Sequence, residues 1–232
     1  MEQELHNYIG SIEDPWLRKL LEQVLIEDSI FYRQFIEAPA AKLYHHACLG
    51  GLLEHSLGTA ALAGIVAARY PLVPRDLLLT LALLHDLGKV EAYSWKTSLT
   101  QSVEGRLLDH LYLGTRRVER AIDKIPGFPE ELRWRVLHGM LAHHGEHDAG
   151  SPVRPKTLEA YIVHLLDMLD ARIRGFQDHL ERQADPAAAW TDRSGMFGEK
   201  LFRGQMDLPH PVEETGEDTG EWPDADEEEL PF

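Results

Sequence analysis

The sequence predicts an all-helical fold. Apolar residues recur at i, i+3 and i+4 spacing through most of residues 12–177. Proline and glycine gather between those stretches, where helices must stop. Hydrophobic residues make up 44% of the 232, enough for a sizeable buried core.

Ile12 to Ile36 reads as one amphipathic helix, with Trp16, Leu17, Leu20, Leu21, Val24, Leu25, Phe31 and Phe35 on its apolar face. Asp14-Pro15 opens it and Ala38-Pro39 stops it. Leu49 to Ala68 predicts a second helix, whose many Gly and Ala residues fit tight central packing. A third, Leu77 to Leu87, is almost wholly apolar and therefore buried, with Gly88 as its expected C-terminal cap. Tyr93 to Ser102 is rich in Ser and Thr and reads as a loop or short hairpin. Helices resume at Glu104–Ile125, Pro129–His144 and Lys156–Gln177, with a short last one around Ala184–Phe202. Residues 209–232 are rich in proline and acid and read as a disordered tail, which places the domain at 1–208.

The net charge of −16 is uneven. Ten of the 39 acidic residues lie beyond Leu208, with no Lys or Arg among them. The rest of the chain carries 29 acidic against 23 basic residues, a net −6. That excludes a broad basic face for duplex nucleic acid and leaves room for a local basic groove. One cysteine, Cys48, excludes an internal disulfide framework and reads as a packing residue. No stretch reads as the roughly 20 apolar residues of a membrane span, and the acidic N-terminus is unlike a signal peptide. The expected compartment is the cytoplasm, with no membrane partner.

Thirteen histidines occur, several inside apolar helical segments. Leu84-His85-Asp86-Leu87 closes a hydrophobic helix with two metal-ligand residue types. A buried Asp is costly unless it is paired or holds a cation. Taken alone, the pair could equally be a capping Asp beside a hydrogen-bonded core His. His55 stands among small residues, His110 among leucines, and His143-His144 at a helix end. Asp167 and Asp170 interrupt the apolar run that begins at Tyr161. Each could separately be a satisfied core group. Five apolar helices each carrying such a residue are explained together by one metal centre.

The ordered set His55, His85-Asp86, Asp167 resembles the H…HD…D signature of the HD phosphohydrolase superfamily. His110 and His143/His144 look like its extended variant, which binds two metals. Further blocks resemble the HD domain of YhaM-type 3′–5′ exoribonucleases: Pro39-Ala-Ala-Lys42, His45-His46-Ala47, Gly50-Gly51-Leu-Leu-Glu-His55, His85-Asp86-Leu-Gly-Lys89, Gly105-Arg-Leu-Leu-Asp-His110, His143-His144-Gly145 and Asp167-Met-Leu-Asp170-Ala171. The likeness runs from about Ile12 to Phe202. There are two departures. Helical sequence begins by Ile12, which leaves no space before it for the OB-fold domain those enzymes usually carry. Asp109 stands where that family usually has glycine.

The resemblance implies a helical bundle around a buried site of one or two divalent transition metals, with Mn, Fe or Co first and Zn or Mg also possible. His55, His85, Asp86 and Asp167 would hold the first ion. Asp86 would bridge to a second on His110 and His143, with His143 favoured over His144. Asp170, one turn past Asp167, would support a ligand or pack between helices, with a place among the ligands as the lesser alternative. Lys89 would either contact a phosphate oxygen or answer a helix dipole. Lys42, His46 and His144 would face substrate. Asp86 and Lys89 would be the catalytic residues. No protein nucleophile is needed, because bound metal supplies activated water and offsets phosphate charge. The leading reading is a phosphodiesterase acting 3′–5′ on single-stranded RNA or short oligonucleotides. A nucleotide or cyclic-nucleotide phosphohydrolase is the main alternative. A diiron oxygenase and a non-catalytic metal-binding module rank below both.

Overall fold

The computed structural model describes residues 1–41, 48–95, 98–182 and 188–204. The acidic segment 209–232, and with it Lys42, His45 and His46, lies outside the described residues. The described part is mostly helical, as its periodicity predicts.

Three N-terminal helices replace the single one expected over 12–36, and a further helix precedes them. Helix α1 spans Glu2–Gly10 and buries only Leu5 and Ile9, too weak a periodic signal to read. Helix α2 spans Pro15–Leu21, opened by the Asp14 carboxylate, which accepts from the backbone N–H of Trp16 and Leu17. A π-helical turn, Glu22–Ile26, follows. Asp28 then caps α3 (Ser29–Glu37) by accepting from Phe31 N–H at 3.1 Å. The π turn inserts a residue without breaking the apolar spacing, so periodicity reads through it.

Helix α4 (Gly51–Arg69) is the central element, packed against α5 (Arg75–Leu84) and α9 (Leu158–Glu181). Its 19 residues and mean hydropathy of 1.3 reach the range of a membrane span by length and composition, contrary to the sequence reading. Half of that span is buried inside the fold, including His55 and Ser56, which is how the core helix of a globular domain behaves. Gly58 shows why small residues are needed here. A Cβ on it would stand 2.5 Å from Asp170 Oδ1 on α9.

Helix α5 stops at Leu84, three residues earlier than expected, and His85 to Gly88 continue as turns. Gly88 is not a left-handed cap, since its φ is −65°. It is glycine because of close approach: a Cβ would lie 2.1 Å from the His110 carbonyl oxygen. Helix α6 (Lys89–Ala92) leads into the hairpin β1 (Tyr93–Ser94) and β2 (Thr100–Gln101), one of the two forms expected for that stretch.

Helix α7 (Val103–Ile122) is kinked at Asp109. Helix α8 (Glu130–Ala142) packs on α7 and on α9. Of the last helix expected, around 184–202, residues 184–187 lie outside the described residues, and the rest instead holds an antiparallel hairpin of β3 (Trp190–Arg193) and β4 (Lys200–Phe202). Thr191 is buried between exposed neighbours, the alternation of a strand, and Gly198 sits in the turn at φ 72°.

Candidate metal centre

Turns, a helix kink and the inner faces of two helices deliver the polar groups to one place. His55 comes from the second turn of α4, and Asp167 and Asp170 from the middle of α9. His85 and Asp86 come from the turn after α5, and His143 and His144 from the turn after α8. His110 follows the kink in α7. His55, His85, Asp86 and His143 are at most 1% exposed.

These groups form two clusters that share one carboxylate. His55, His85, Asp86 and Asp167 bring one donor atom each within 4.8 Å of one another. Asp86, His110, His143 and His144 do the same. Asp86 divides its oxygens between them. Its Oδ2 lies 3.4 Å from His55 Nε2 and 3.5 Å from His85 Nε2. Its Oδ1 lies 3.4 Å from His110 Nε2 and 3.6 Å from His143 Nε2.

The ring orientations are fixed from behind. A carbonyl or ionised carboxylate can only accept, so each Nδ1 facing one must carry the proton. His85 Nδ1 donates to Ala82 O at 2.9 Å and His143 Nδ1 to Met140 O at 2.7 Å. His144 Nδ1 donates to Ala149 O at 3.0 Å. His55 Nδ1 donates to Asp170 Oδ2 at 2.6 Å, and His110 Nδ1 faces Asp109 Oδ1 at 2.8 Å. All five rings are thereby set with Nε2 as the outward donor. Anchoring of this kind is what metal-binding imidazoles ordinarily receive.

That anchoring makes a hydrogen-bonded core an unsatisfactory account of the cluster. With Nδ1 already protonated on both rings, a site without a cation can join His55 Nε2 to His85 Nε2 and Asp167 Oδ1, each 3.1 Å away, only by adding a second proton and so charging a buried imidazole. Among the described residues, Asp86 Oδ1, His110 Nε2 and His143 Nε2 are buried without any hydrogen-bond partner. Orphaned buried groups of this kind cost about 1–3 kcal/mol each unless something satisfies them. Donors held about 2.0–2.2 Å from one cation lie roughly 3–3.5 Å apart, close to the spacing found here. The residues present therefore fit a metal ion at either cluster.

The electrostatics of the two clusters differ. Burial opposes charge on Asp86, but Lys89 and His85 hold it well below the usual carboxylate range. Burial likewise opposes charge on Asp167, and hydrogen bonds from His55 and His85 overcome it. These carboxylates in turn outweigh burial at His85 and carry it up to about 9. At His143 burial wins and the pKa falls. His144 is lowered by burial and by His143. The first cluster thus favours positive charge strongly, whereas His143 and His144 in the second favour the neutral imidazole.

All six residues expected to hold metal are therefore brought together, and His144 joins the second cluster beside His143. Their rings are 4.5 Å apart, a proximity possible because both lie past the end of α8. Lys89 opens α6 instead of closing a helix, and its Nζ lies 2.5 Å from Asp86 Oδ2. Lys42 and His46, expected at the substrate edge, fall outside the described residues. Glu91, on the same short helix as Lys89, pairs with Arg116 and Arg117 instead of joining either cluster. Cys48 is exposed, not packed. One supporting residue was not foreseen: His164 Nδ1 donates to His143 O at 2.9 Å and so holds the turn that carries two rings.

The model of the HD domain matches residues 52–172. The 3′-5′ exoribonuclease YhaM of Bacillus licheniformis is 36% identical over 175 residues, which is 75% of this chain and 54% of that protein. The protein of the same name in Bacillus velezensis is 34% identical over 182 residues, 78% of this chain and 57% of its own length. That of Listeria welshimeri is 33% identical over 202 residues, 87% of this chain and 60% of its own length. The chain thus spans about half to three-fifths of the relatives it matches. No solved structure matches. With residues 52–172 matched and both His/Asp clusters lying within or beside that stretch, the chain belongs to the HD domain family.

Proposed function

We propose that this chain is a metal-dependent phosphodiesterase, acting in the manner of a 3′–5′ exoribonuclease on single-stranded RNA or short oligonucleotides. The observation that carries this reading is the division of Asp86 between two clusters, Oδ2 toward one and Oδ1 toward the other. A carboxylate shared in this way, between sets of imidazoles, suits a pair of divalent transition metals better than a magnesium-only site. When bound, such a pair supplies activated water and clamps the attacking and leaving oxygens of a phosphate.

The chain's own residues would do the rest. His55, His85 and Asp167 would hold the first ion and His110 with His143 the second, both joined through Asp86. Asp170 would orient His55. His144, which is partly exposed, would be free to meet substrate or to complete the second site. Lys89 is 12% exposed at the shared carboxylate, where it would place positive charge beside the phosphate. Residues 1–208 would form the catalytic unit, with the acidic 209–232 outside it.

The relatives' printed name supports the RNA substrate. The charge of −16 favours the second reading, a small nucleotide or cyclic nucleotide, because a long polyanion is repelled by excess acid. One assay separates them. The protein, loaded in turn with Mn, Fe, Co, Zn and Mg, is given an end-labelled RNA, a dinucleotide, a chromogenic diester and mononucleotides. Stepwise shortening of the RNA from its 3′ end is the expected result. Turnover of mononucleotides alone would replace this reading with the second, and no turnover of any phosphoester would remove both.

A further inference from the structure

Asp109 is the only described residue other than glycine with a positive φ, at φ 64° and ψ 154°. That region of backbone space is essentially reserved for glycine, because a Cβ there clashes with the chain's own carbonyl. The strain has a visible geometric purpose. It breaks α7 in two, and the turn so formed lets the His110 carbonyl lie directly against Gly88, whose missing Cβ makes room. His110 thereby arrives over the turn that carries Asp86. Glycine would make this turn without steric strain, so the carboxylate must return something for the strain it brings.

Two contacts show what it returns. Asp109 Oδ1 accepts from Leu111 N–H at 3.0 Å, which caps the second half of α7. The same oxygen lies 2.8 Å from His110 Nδ1. We propose that Asp109 is a positioning residue for the second metal ion: it accepts strained backbone in exchange for a carboxylate that orients His110 with Nε2 toward Asp86. The arrangement repeats at the other cluster, where Asp170 holds His55 Nδ1 at 2.6 Å from an unstrained helix. Asp109 and Asp170 are then equivalent supports, one for each ion. The inference rests on the two-ion reading above.

Calorimetric titration of metal-stripped protein with Mn(II) tests it, alongside thermal melts without metal. Wild type should take up two ions. In Asp109→Gly and Asp109→Ala the second ion should bind about 10- to 100-fold more weakly, with the first unchanged. Asp109→Asn, which keeps a side-chain oxygen, should fall between. The melts separate strain from support: only Asp109→Gly relaxes the backbone, so its Tm should rise by about 2–4 °C, while Asp109→Ala should not gain. A purely structural residue would shift the melts and leave the second ion alone. Two ions bound by wild type and bound equally well by the Gly and Ala variants would overturn the role of Asp109 and leave the two-ion reading standing. Fewer than two ions in wild type would overturn that reading and this inference together.

Discussion

The two clusters that meet at Asp86 are built differently. The first is part of the hydrophobic core. His55 and His85 are fully buried, two carboxylates face them, and the support for His55 comes from a regular helix. The second is nearer the surface. His110 and His144 are partly exposed, the only carboxylate oxygen it shares is Asp86 Oδ1, and the support for His110 comes from a strained turn. The difference teaches how the work would be divided. A site with two anionic ligands inside a packed core would hold its ion as a structural fixture. A site of imidazoles at the rim would hold its ion less tightly and would lie on the side from which a phosphate can come.

The largest effect expected is at the shared residue. Asp86→Ala removes a donor from both clusters, so hydrolysis of a simple phosphodiester should fall to background and both ions should be lost. Activity retained within a few-fold of wild type would dissolve the link between the clusters. A variant at either side should then behave unequally. Elemental analysis should find no tightly held metal in His55→Ala, yet one equivalent per chain in His110→Ala. Equal losses in the two would mean that the clusters are not the separate half-sites their electrostatics suggest. Next comes the support of the first cluster. Asp170→Ala should cost about 10- to 100-fold in metal affinity, clearly less than Asp86→Ala. A loss as complete as that of Asp86→Ala would make Asp170 a ligand.

The smallest effect lies in the scaffold that sets both clusters in place. Glu159 is buried on α9 and accepts from Arg135 Nε at 2.9 Å and Nη2 at 3.0 Å on α8. Burial would raise its pKa, but the hydrogen bonds from Arg135 win and lower it. A carboxylate lowered in the folded state stabilises the fold above its unfolded pKa, about 4.3. That stabilisation is lost as pH falls through the lower folded value. Glu159→Gln should therefore cost about 1–2 kcal/mol at pH 7, a figure kept small because Arg135 is a third exposed. The variant should also lose less stability than wild type between pH 5 and 3, as followed by urea melts. Parallel pH profiles would show that the pair does nothing for stability.

Much of this centre can be read from the chain because its residues are out of place where they stand. An imidazole at position 55 among glycines and alanines, or an aspartate at 167 in a run of leucines, gains nothing from burial by itself. Several such residues together ask for a common partner. What could not be read depends on geometry that carries no compositional mark. His143 and His144 both reach the second cluster because α8 ends at Ala142, two residues short of the expected boundary. The support given by Asp109 depends on a backbone angle, and that of His164 on a carbonyl 21 residues away. The helical fold was legible from its period. The π turn at Glu22–Ile26 was hidden because the apolar spacing continues across it. The hairpin at 190–202 was misread as helix because three or four residues per strand are too few to display alternation.

The central claim is that Asp86 joins two metal half-sites. Crystals of the full chain grown with Mn(II) and measured at the manganese absorption edge test it most directly. The account predicts two anomalous peaks about 3.5–4 Å apart, one among His55, His85 and Asp167 and the other among His110 and His143, with the Asp86 carboxylate between them. An anomalous map with no peak at this centre, or with one ion that Asp86 does not touch, would contradict it.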